Sequence, residues 1–453
     1  MSEKNSNTKH IIILGGGFAG LWAAKEFGKK DGYQVTVIDR NNYHLFQPLL
    51  YQVASAGLEP EQISYPLRGT FRKMLNVEFR MAEVTGLDLE KKVLLSDVGP
   101  IHYDGLIIAL GSVTSYFGVP GAEEFAFSLK NAEEAIDIRN HILSCFEYAQ
   151  YEPDPAIREQ LLTFTVVGGG PTGVEYAGAL AELVHTSLRR DFRGLNKEDV
   201  KIKLIEGEDG PLNGYPDKLR YYAKNKLEKL GVHGCYKQHV VQVEADKVTL
   251  KSGETISTRT VLWTAGIRGN KVAEEMGLPL GRANRIITKP ELNLAEHPEV
   301  FVAGDIALPM DEEKMLSGPT VAPNAIQQGV LAAKNLMSLF EGKKLTPFSY
   351  FDKGSLATIG RSSAVVHLGK LKITGFFAWV TWLIIHLLYL IGFRNRVIVF
   401  INWAFEYLLF ERGVRLIMPK AKDTIPHGKA DEYEPEGTEG KALNKRSVDK
   451  KEP

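Results

Sequence analysis

The sequence has very little cysteine and no excess of either charge. Two cysteines, Cys145 and Cys235, occur among 453 residues and lie far apart in the chain. Two distant thiols exclude a disulfide framework and a cysteine-based zinc site, and they are typical of a reducing compartment. Lysine plus arginine and aspartate plus glutamate both number 55, so the formal net charge is zero. Without a basic excess, the composition gives no indication of nucleic-acid binding.

The first nine residues also lack the apolar core of a signal peptide. They are polar and lead directly to an apolar segment, so we expect the body of the protein on the cytoplasmic side. The composition, with 44% hydrophobic and 24% charged residues, is that of a globular protein with room for two or three domains.

Residues 10–20 read HIIILGGGFAG and contain the first clear motif of the chain. The apolar run before the glycines predicts a strand that is buried on both faces. Gly15, Gly17 and Gly20 form G-x-G-x-x-G, which serves a tight turn, close approach to a pyrophosphate and close helix–strand packing. A second strand ends at Asp39, whose carboxylate is expected to bind a ribose hydroxyl. The combination predicts a dinucleotide site.

Residues 164–173 read FTVVGGGPTG and repeat this pattern with Gly168, Gly170 and Gly173. The matching second strand, at 200–206, ends at Glu206 after a charged extension at 189–199. A carboxylate here accepts a ribose 2′-hydroxyl and repels a 2′-phosphate, which favours NADH over NADPH. The fold class predicted is therefore α/β, with two Rossmann-like dinucleotide-binding domains.

Residues 299–305 read EVFVAGD and predict a buried strand that returns to the first unit. They resemble the segment by which two-dinucleotide-binding flavoproteins place an aspartate, here Asp305, on the ribityl chain of FAD. The segment after the second strand, at 40–54, lacks the cysteine pair of flavin disulfide reductases, so no disulfide on this chain receives the electrons.

The C-terminal region contains a run without charged residues at 373–393. As one helix it would be roughly 30 Å long, enough to span a bilayer. Its small or polar side predicts docking on the protein through Thr374, Ala378, Thr381, Tyr389 and Gly392, with His386 at the margin. Its other side predicts contact with lipid through Phe376, Phe377, Leu383, Ile384, Leu387 and Leu390. A second apolar stretch follows at 397–410, and the two sides favour an interfacial anchor over a spanning helix.

The chain resembles type II NADH:quinone oxidoreductases over about residues 10–417. Besides both glycine loops, the resemblance depends on NYHLFQPLLYQVA at 42–54, FVAGD at 301–305 and KGSLATIGR at 353–361. It implies a flavoprotein that transfers a hydride from NADH to FAD and then two electrons to a membrane quinone, without proton pumping. It also implies peripheral attachment to the cytoplasmic face of the membrane through residues 373–410 and the absence of a metal. Whether the protein forms a homodimer is left open.

The resemblance implies the residues of each site. For FAD these are Gly15, Gly17, Phe18, Ala19, Gly20, Asp39, Arg40, Val84, Ala109, Gly111 and Asp305; for NADH they are Gly168, Gly170, Thr172, Gly173, Glu206 and Gly266. Glu175 is either the titratable group nearest the nicotinamide–flavin contact or an ordinary first-turn glutamate that the helix dipole favours.

The quinone end departs from the family pattern Ala-Gln-x-Ala-x-Gln at the start of a helix. Here Pro323 stands where the first glutamine is usual, while Gln327 is kept, and the resemblance implies that Pro323, Asn324 and Gln327 lie at the quinone, with Gln327 acting in the reaction. Proline suits a first helical turn, so we expect the helix to persist with one hydrogen-bond donor lost. Whether Asn324 replaces that donor is open at the level of sequence.

The expected organisation has five parts. They are an FAD-binding part at 9–120, an NADH-binding domain at 121–275, a second FAD-binding part at 276–345, a membrane-associated region at 346–418 and a disordered tail at 419–453. Two other functions are weighed: a soluble NADH-dependent reductase of a ferredoxin- or rubredoxin-like carrier, and a flavin-bound redox sensor with low turnover. A sulfide:quinone reductase would need active-site cysteines that this chain lacks.

Overall fold

The computed structural model describes residues 8–312, 314–316, 318–409 and 412–418, apart from the side chain of Lys197. The predicted tail at 419–453 and Phe410 lie outside the described residues. The α-helices are Phe18–Phe27, Leu50–Ala54, Leu67–Phe71, Ala122–Phe125, Ala132–Ala149, Pro155–Leu162, Pro171–Glu182, Arg189–Asp191, Asp217–Lys229, Val272–Glu275, Ala322–Phe340, Phe376–Tyr389 and Phe393–Leu409.

The first parallel sheet has five strands. In spatial order they are Val300–Val302, Gly105–Ile108, Lys9–Leu14, Tyr33–Asp39 and Val77–Met81. Residues 11–14 are fully buried, as a strand covered on both faces requires. The edge strand at 300–302 joins this sheet after the whole second unit has been completed, so the predicted return of the chain is confirmed.

The second parallel sheet has four strands, in the order Val232–Tyr236, Lys201–Glu206, Thr163–Val167 and Thr260–Trp263. Each unit also carries a three-stranded antiparallel sheet, formed by Val84–Asp88, Val93–Ser96 and Ile101–His102 in the first and by Val240–Val243, Lys247–Leu250 and Thr255–Ser257 in the second. The predicted pair of Rossmann-like units is confirmed. The remaining strands before the C-terminal region are Tyr43–Leu45, Ser64–Pro66, Ser112–Thr114, Ile267–Gly269, Ile286–Thr288, Ala307–Asp311 and Lys314–Met315.

The C-terminal region begins with an antiparallel sheet, formed by Ser355–Thr358, Ala364–Leu368 and Leu371–Gly375. The prediction of one helix over 373–393 is wrong. Residues 371–375 instead pair with the preceding strand, and the first helix covers only Phe376–Tyr389. The chain then leaves helical geometry at Leu390, and Gly392 has a φ of +89° before the second helix begins.

The first C-terminal helix does not have the length expected of a spanning segment. It has 14 residues, which at 1.5 Å per residue gives about 21 Å, short of the roughly 30 Å of a bilayer core. Within the described ranges, no helix is both long and apolar enough to cross a membrane.

Each C-terminal helix has one buried and one exposed side. The buried side packs into the main core through Ala378, Trp382, Val399 and Trp403. The exposed side carries Phe376, Phe377, Ile384, Leu388, Phe393, Phe400, Ile401, Phe405, Leu408 and Leu409. The prediction that Leu390 faces lipid is wrong, because it lies beyond the helix end, where the helical periodicity no longer applies, and is only 1% exposed. Leu387 is half-buried against the core.

Candidate functional site

The first glycine loop has the shape of a phosphate cradle. Gly15 has a φ of +100°, and a Cβ there would lie 2.4 Å from the Ala109 carbonyl oxygen. A Cβ at Gly20 would lie 1.9 Å from the Gly15 carbonyl oxygen, whereas one at Gly17 would meet no atom within 4 Å. The outer glycines are therefore needed for packing, and the middle one leaves open space at the N-terminus of helix Phe18–Phe27. Free N–H groups and the helix dipole favour an anion there.

The second glycine loop repeats this geometry. A Cβ at Gly168 would lie 2.7 Å from the Ala265 nitrogen, and one at Gly173 would lie 1.9 Å from the Gly168 carbonyl oxygen. Gly170 again has nothing within 4 Å. Helix Pro171–Glu182 begins at this point with a proline in its first turn. The two loops therefore provide two equivalent cradles, each fitted to a diphosphate.

The acidic residue at the end of each second strand binds the adjacent glycine loop. Gly16 N donates to Asp39 Oδ2 at 2.7 Å, and Gly169 N donates to Glu206 Oε2 at 2.5 Å. Burial raises the pKa of Asp39, although two main-chain donors oppose that shift. An ionised carboxylate has about four acceptor positions, so both groups keep capacity for a ribose hydroxyl.

The other predicted nucleotide residues lie around these loops. Phe18 and Ala19 open the first helix, Arg40 follows Asp39, and Ala109 and Gly111 follow strand Gly105–Ile108. Val84 begins an antiparallel strand that stays close to Asp39, because Ala82 N donates to the Asp39 carbonyl oxygen at 3.1 Å. Thr172 is exposed at the start of the second glycine helix, and a Cβ at Gly266 would lie 2.1 Å from the Phe117 ring.

Asp305 is part of a polar chain that sequence reasoning missed. Ser112 Oγ donates to Asp305 Oδ2 at 2.9 Å, and Lys130 Nζ donates to Ser112 Oγ at 3.2 Å. Burial lowers the pKa of Lys130, while the charges of Asp305 and Glu134 oppose that shift. No local motif marks Lys130, because only the fold brings it to this strand end.

The helix Ala322–Phe340 begins beside the first glycine loop. Pro323 stands in its first turn, as predicted, and a Cβ at Gly329 would lie 2.1 Å from the Ala19 carbonyl oxygen. Gln327 is engaged at both amide atoms: its Nε2 donates to the Phe351 carbonyl oxygen at 3.0 Å, and its Oε1 accepts from Phe351 N at 2.9 Å. Asn324 is 2% exposed, and its Oδ1 has no partner in the described part of the chain.

Gln328 and His44 are two further buried groups that the motifs did not mark. Gln328 Oε1 accepts from Gly304 N at 2.7 Å, which supports the turn before Asp305. His44 Nδ1 lies 2.9 Å from the Gly16 carbonyl oxygen, so this nitrogen carries the proton. Burial lowers the pKa of His44 to about 4, which keeps the ring neutral beside the first cradle.

Glu175 is a buried carboxyl that three segments surround. It lies in helix Pro171–Glu182 and is 8% exposed. Its Oε1 accepts from Thr358 N at 3.3 Å and from Trp382 Nε1 at 3.2 Å. Burial raises its pKa to about 8, and these two donors oppose the shift. The first turn of this helix contains no acidic residue, so the interpretation as an ordinary first-turn glutamate is wrong.

Two phenol groups also face Glu175. Burial, followed by the charge of Glu175, raises the pKa of both Tyr51 and Tyr215. Among the described residues, Glu175 forms no ion pair with a lysine or arginine. Burial without such a partner favours the protonated carboxyl over the carboxylate.

The family comparisons match nearly the whole described chain. The model described as pyridine nucleotide-disulphide oxidoreductase matches residues 9–329, and the model of the NDH2 C-terminal domain matches residues 353–412. The chain is 38% identical over 418 residues to the type II NADH:quinone oxidoreductase Ndh of Mycobacterium tuberculosis, covering 89% of each protein. It is 31% identical over 381 residues to the type II NADH:quinone oxidoreductase of Staphylococcus haemolyticus, covering 81% of this chain and 91% of that relative.

A solved structure has the same fold. The chain superposes on NDH2 from Plasmodium falciparum in complex with NADH with a TM-score of 0.82 at 20% identity. The superposition covers 91% of this chain and 100% of the other.

Proposed function

The chain belongs to the type II NADH:quinone oxidoreductase family, and we propose the residues with which it carries out the reaction of that family. The protein is an oxidoreductase that uses FAD and NADH and passes two electrons to a quinone without pumping protons. The balanced reaction is NADH plus one proton plus quinone giving NAD⁺ plus quinol. The similarity favours this reaction over reduction of a ferredoxin-like carrier.

FAD is assigned to the first glycine loop and NADH to the second. The support is that each loop leaves its middle glycine, Gly17 or Gly170, facing open space at a helix N-terminus. Asp305 and the Ser112–Lys130 chain would hold the ribityl hydroxyls, and Glu206 would hold the ribose of NADH. FAD, when bound, stores two electrons between the nicotinamide and the quinone.

Glu175 is proposed as the group that supplies the proton of the balanced reaction. The observation that carries this assignment is a buried carboxyl on the NADH-binding helix, without an ion-pair partner and with a pKa of about 8. Such a group is protonated at neutral pH, and its pKa lies near the operating pH, as a general acid requires.

The quinone head is proposed to bind at the first turn of helix Ala322–Phe340. Asn324 is favoured for the direct hydrogen bond, because its amide Nδ2 can donate to a quinone carbonyl oxygen. Its buried Oδ1, which lacks a partner among the described residues, can accept from the hydroxyl of the quinol. Gln327 then supports the site indirectly, because both of its amide atoms bind the main chain of Phe351.

A cavity of about 310 Å³ supports access from the membrane side. Its walls include Trp22 of the first glycine helix and Leu388 and Tyr389 of the C-terminal helix. The Tyr389 hydroxyl accepts from Lys353 Nζ at 3.1 Å, and Lys353 is two residues from the Phe351 that Gln327 holds. The cavity therefore lies between the first glycine helix and the end of helix Phe376–Tyr389.

The exposed side of the two C-terminal helices is proposed to bind the bilayer surface at the cytoplasmic face of the membrane. Phe377 and Leu388 are 76% and 64% exposed, and a continuous apolar surface of this kind marks an interaction site. We expect Phe377→Glu with Leu388→Glu to abolish sedimentation with phospholipid vesicles while FAD content stays normal. Leu75→Glu is the control, because Leu75 is equally apolar and 98% exposed but lies on another element.

Steady-state turnover of NADH with quinone tests the assignment of Glu175. We expect Glu175→Gln, which cannot donate a carboxyl proton, to slow turnover by roughly 100-fold, as is usual for loss of a general acid. Equal turnover in the variant and the native protein would remove Glu175 from the mechanism. The homodimer stays a prediction, which sedimentation equilibrium in detergent checks.

A further inference from the structure

Trp382 connects the membrane-facing helix to Glu175. The indole is 1% exposed, and its Nε1 donates to Glu175 Oε1 at 3.2 Å. Its ring stacks on His386 with 3.9 Å between the centroids and packs edge-on against Tyr51 at 6.3 Å. The same short helix exposes Phe377 on its outer side. One helix therefore presents an apolar surface outward and a hydrogen-bond donor inward.

We propose that Trp382 is the positioning residue of Glu175. The C-terminal helix thereby contributes to the NADH site by holding this carboxyl. This proposal rests on the proposed role of Glu175 as proton donor. The Glu175 side chain has rotatable bonds, and only two N–H groups hold its Oε1, one from Thr358 and one from Trp382. The Thr358 donor is main chain, so Trp382 is the one side chain that holds this oxygen among the described residues.

The other groups around Glu175 do not replace this donor. The titratable groups facing it are the phenols Tyr51 and Tyr215, and burial keeps both protonated by raising their pKa values. His386, which stacks on the indole, is neutral because burial lowers its pKa to about 4. His386 Nδ1 bonds the Trp382 carbonyl oxygen at 2.8 Å, which fixes the ring against the indole rather than against the carboxyl.

The helix that carries Trp382 is itself anchored at its end. Arg396 donates from Nε to the Leu390 carbonyl oxygen at 2.7 Å and from Nη2 to the Leu388 carbonyl oxygen at 2.9 Å. A cation bound to the last carbonyls of a helix stabilises that end. The indole is therefore presented to Glu175 by a rigid element, as a positioning role requires.

The test compares Trp382→Phe with Trp403→Phe in the full-length, FAD-loaded protein. Trp403 is the packing control: its ring lies against Trp382 with 5.8 Å between the centroids, and its Nε1 donates to Gln52 Oε1 at 2.8 Å rather than to Glu175. Trp403→Phe therefore disturbs the same aromatic cluster without removing a hydrogen bond to Glu175. The readout is the infrared band of the protonated Glu175 carboxyl as a function of pH, assigned by its absence in Glu175→Gln.

The sign of the effect follows from the donor. The indole N–H stabilises the carboxylate, so its loss favours the protonated form. We expect the apparent pKa of Glu175 to rise by roughly one unit in Trp382→Phe, one unit being about 1.4 kcal/mol, and the alkaline limb of the pH–rate profile to move upward by the same amount. Trp403→Phe should leave both unchanged.

A second replacement at position 382 separates loss of the hydrogen bond from loss of packing. Benzothienylalanine at position 382 keeps the bicyclic volume but lacks the N–H group, so it should give the same upward shift with unchanged circular dichroism. Native titration of the carboxyl in either 382 variant would overturn the role of Trp382. Unchanged turnover in Glu175→Gln would instead defeat proton donation, and the infrared titration would still report on the contact with Trp382.

Discussion

Alanine at Gly17 and alanine at Gly170 should separate the two nucleotide sites. Both glycines have φ values near −70° (−71° and −68°), which alanine adopts without strain. A Cβ at either position meets no protein atom within 4 Å. The added methyl group therefore enters only the space assigned to a phosphate. The apoprotein should fold normally, with a free energy of unfolding within about 1 kcal/mol of the native value.

The expected loss of affinity follows from overpacking of the occupied site. A methyl group forced into a filled space costs roughly 1–3 kcal/mol, which is about fivefold to 150-fold in a dissociation constant. Gly17→Ala should lose FAD, measured by visible absorbance of the purified protein and by titration of the apoprotein. Gly170→Ala should keep FAD and bind NAD⁺ more weakly, measured by titration of the oxidised protein.

Each variant is the control for the other, and two further variants test the packing argument. Alanine at Gly20 or at Gly173 would place a Cβ 1.9 Å from a main-chain oxygen, so both should fail to fold rather than lose one ligand. Native FAD affinity in Gly17→Ala would refute the placement of the pyrophosphate at this loop. Loss of FAD from Gly170→Ala with NAD⁺ binding intact would show that the two assignments are exchanged.

Three other substitutions test individual contacts. Glu206→Gln removes the charge that repels a 2′-phosphate, so the ratio of kcat/KM for NADH to that for NADPH should fall; an unchanged ratio would place specificity elsewhere. Asp305→Ala removes a charged hydrogen-bond acceptor worth roughly 1.5–3 kcal/mol, so the protein should purify with less FAD and regain activity when FAD is added. Asn324→Leu should slow flavin reoxidation by quinone about fivefold, the effect of losing about 1 kcal/mol, and more than Gln327→Leu does, with NADH-dependent reduction unchanged in stopped-flow traces. Reoxidation at the native rate in both variants would show that the quinone does not bind at this helix.

Much of the fold was predictable because its signals are local. A buried parallel strand needs a short apolar run, and a phosphate loop needs glycines at fixed spacing, so residues 10–20 and 164–173 each specified a strand, a loop and a helix. The carboxylates of Asp39 and Glu206 were predictable for the same reason, since each ends the strand that follows its loop. The first turn of helix Ala322–Phe340 was also predictable, because Pro323 is tolerated only there.

The prediction of one helix over residues 373–393 failed because hydrophobic periodicity does not indicate where a helix begins or ends. The apolar run at 373–393 has the composition of one helix, yet strand pairing takes its first residues and the positive φ of Gly392 separates two helices. Pairing with residues 364–368 is a non-local interaction that composition does not encode. The sequence therefore determined that this region is apolar on one side, and the tertiary structure decided how it is divided.

The chemistry of the site depended still more on the tertiary structure. Sequence reasoning left Glu175 between two interpretations, because a pKa depends on burial and on partners that lie 183 and 207 positions away in the chain. It assigned Gln327 to the quinone but gave no sign that both amide atoms bind the main chain of Phe351. It passed over Lys130, which reaches the Asp305 chain only through folding. The sequence by itself determined two nucleotide loops and their order; only packing decided which side chains became buried, paired or left without a partner, since those properties arise from contacts between distant segments.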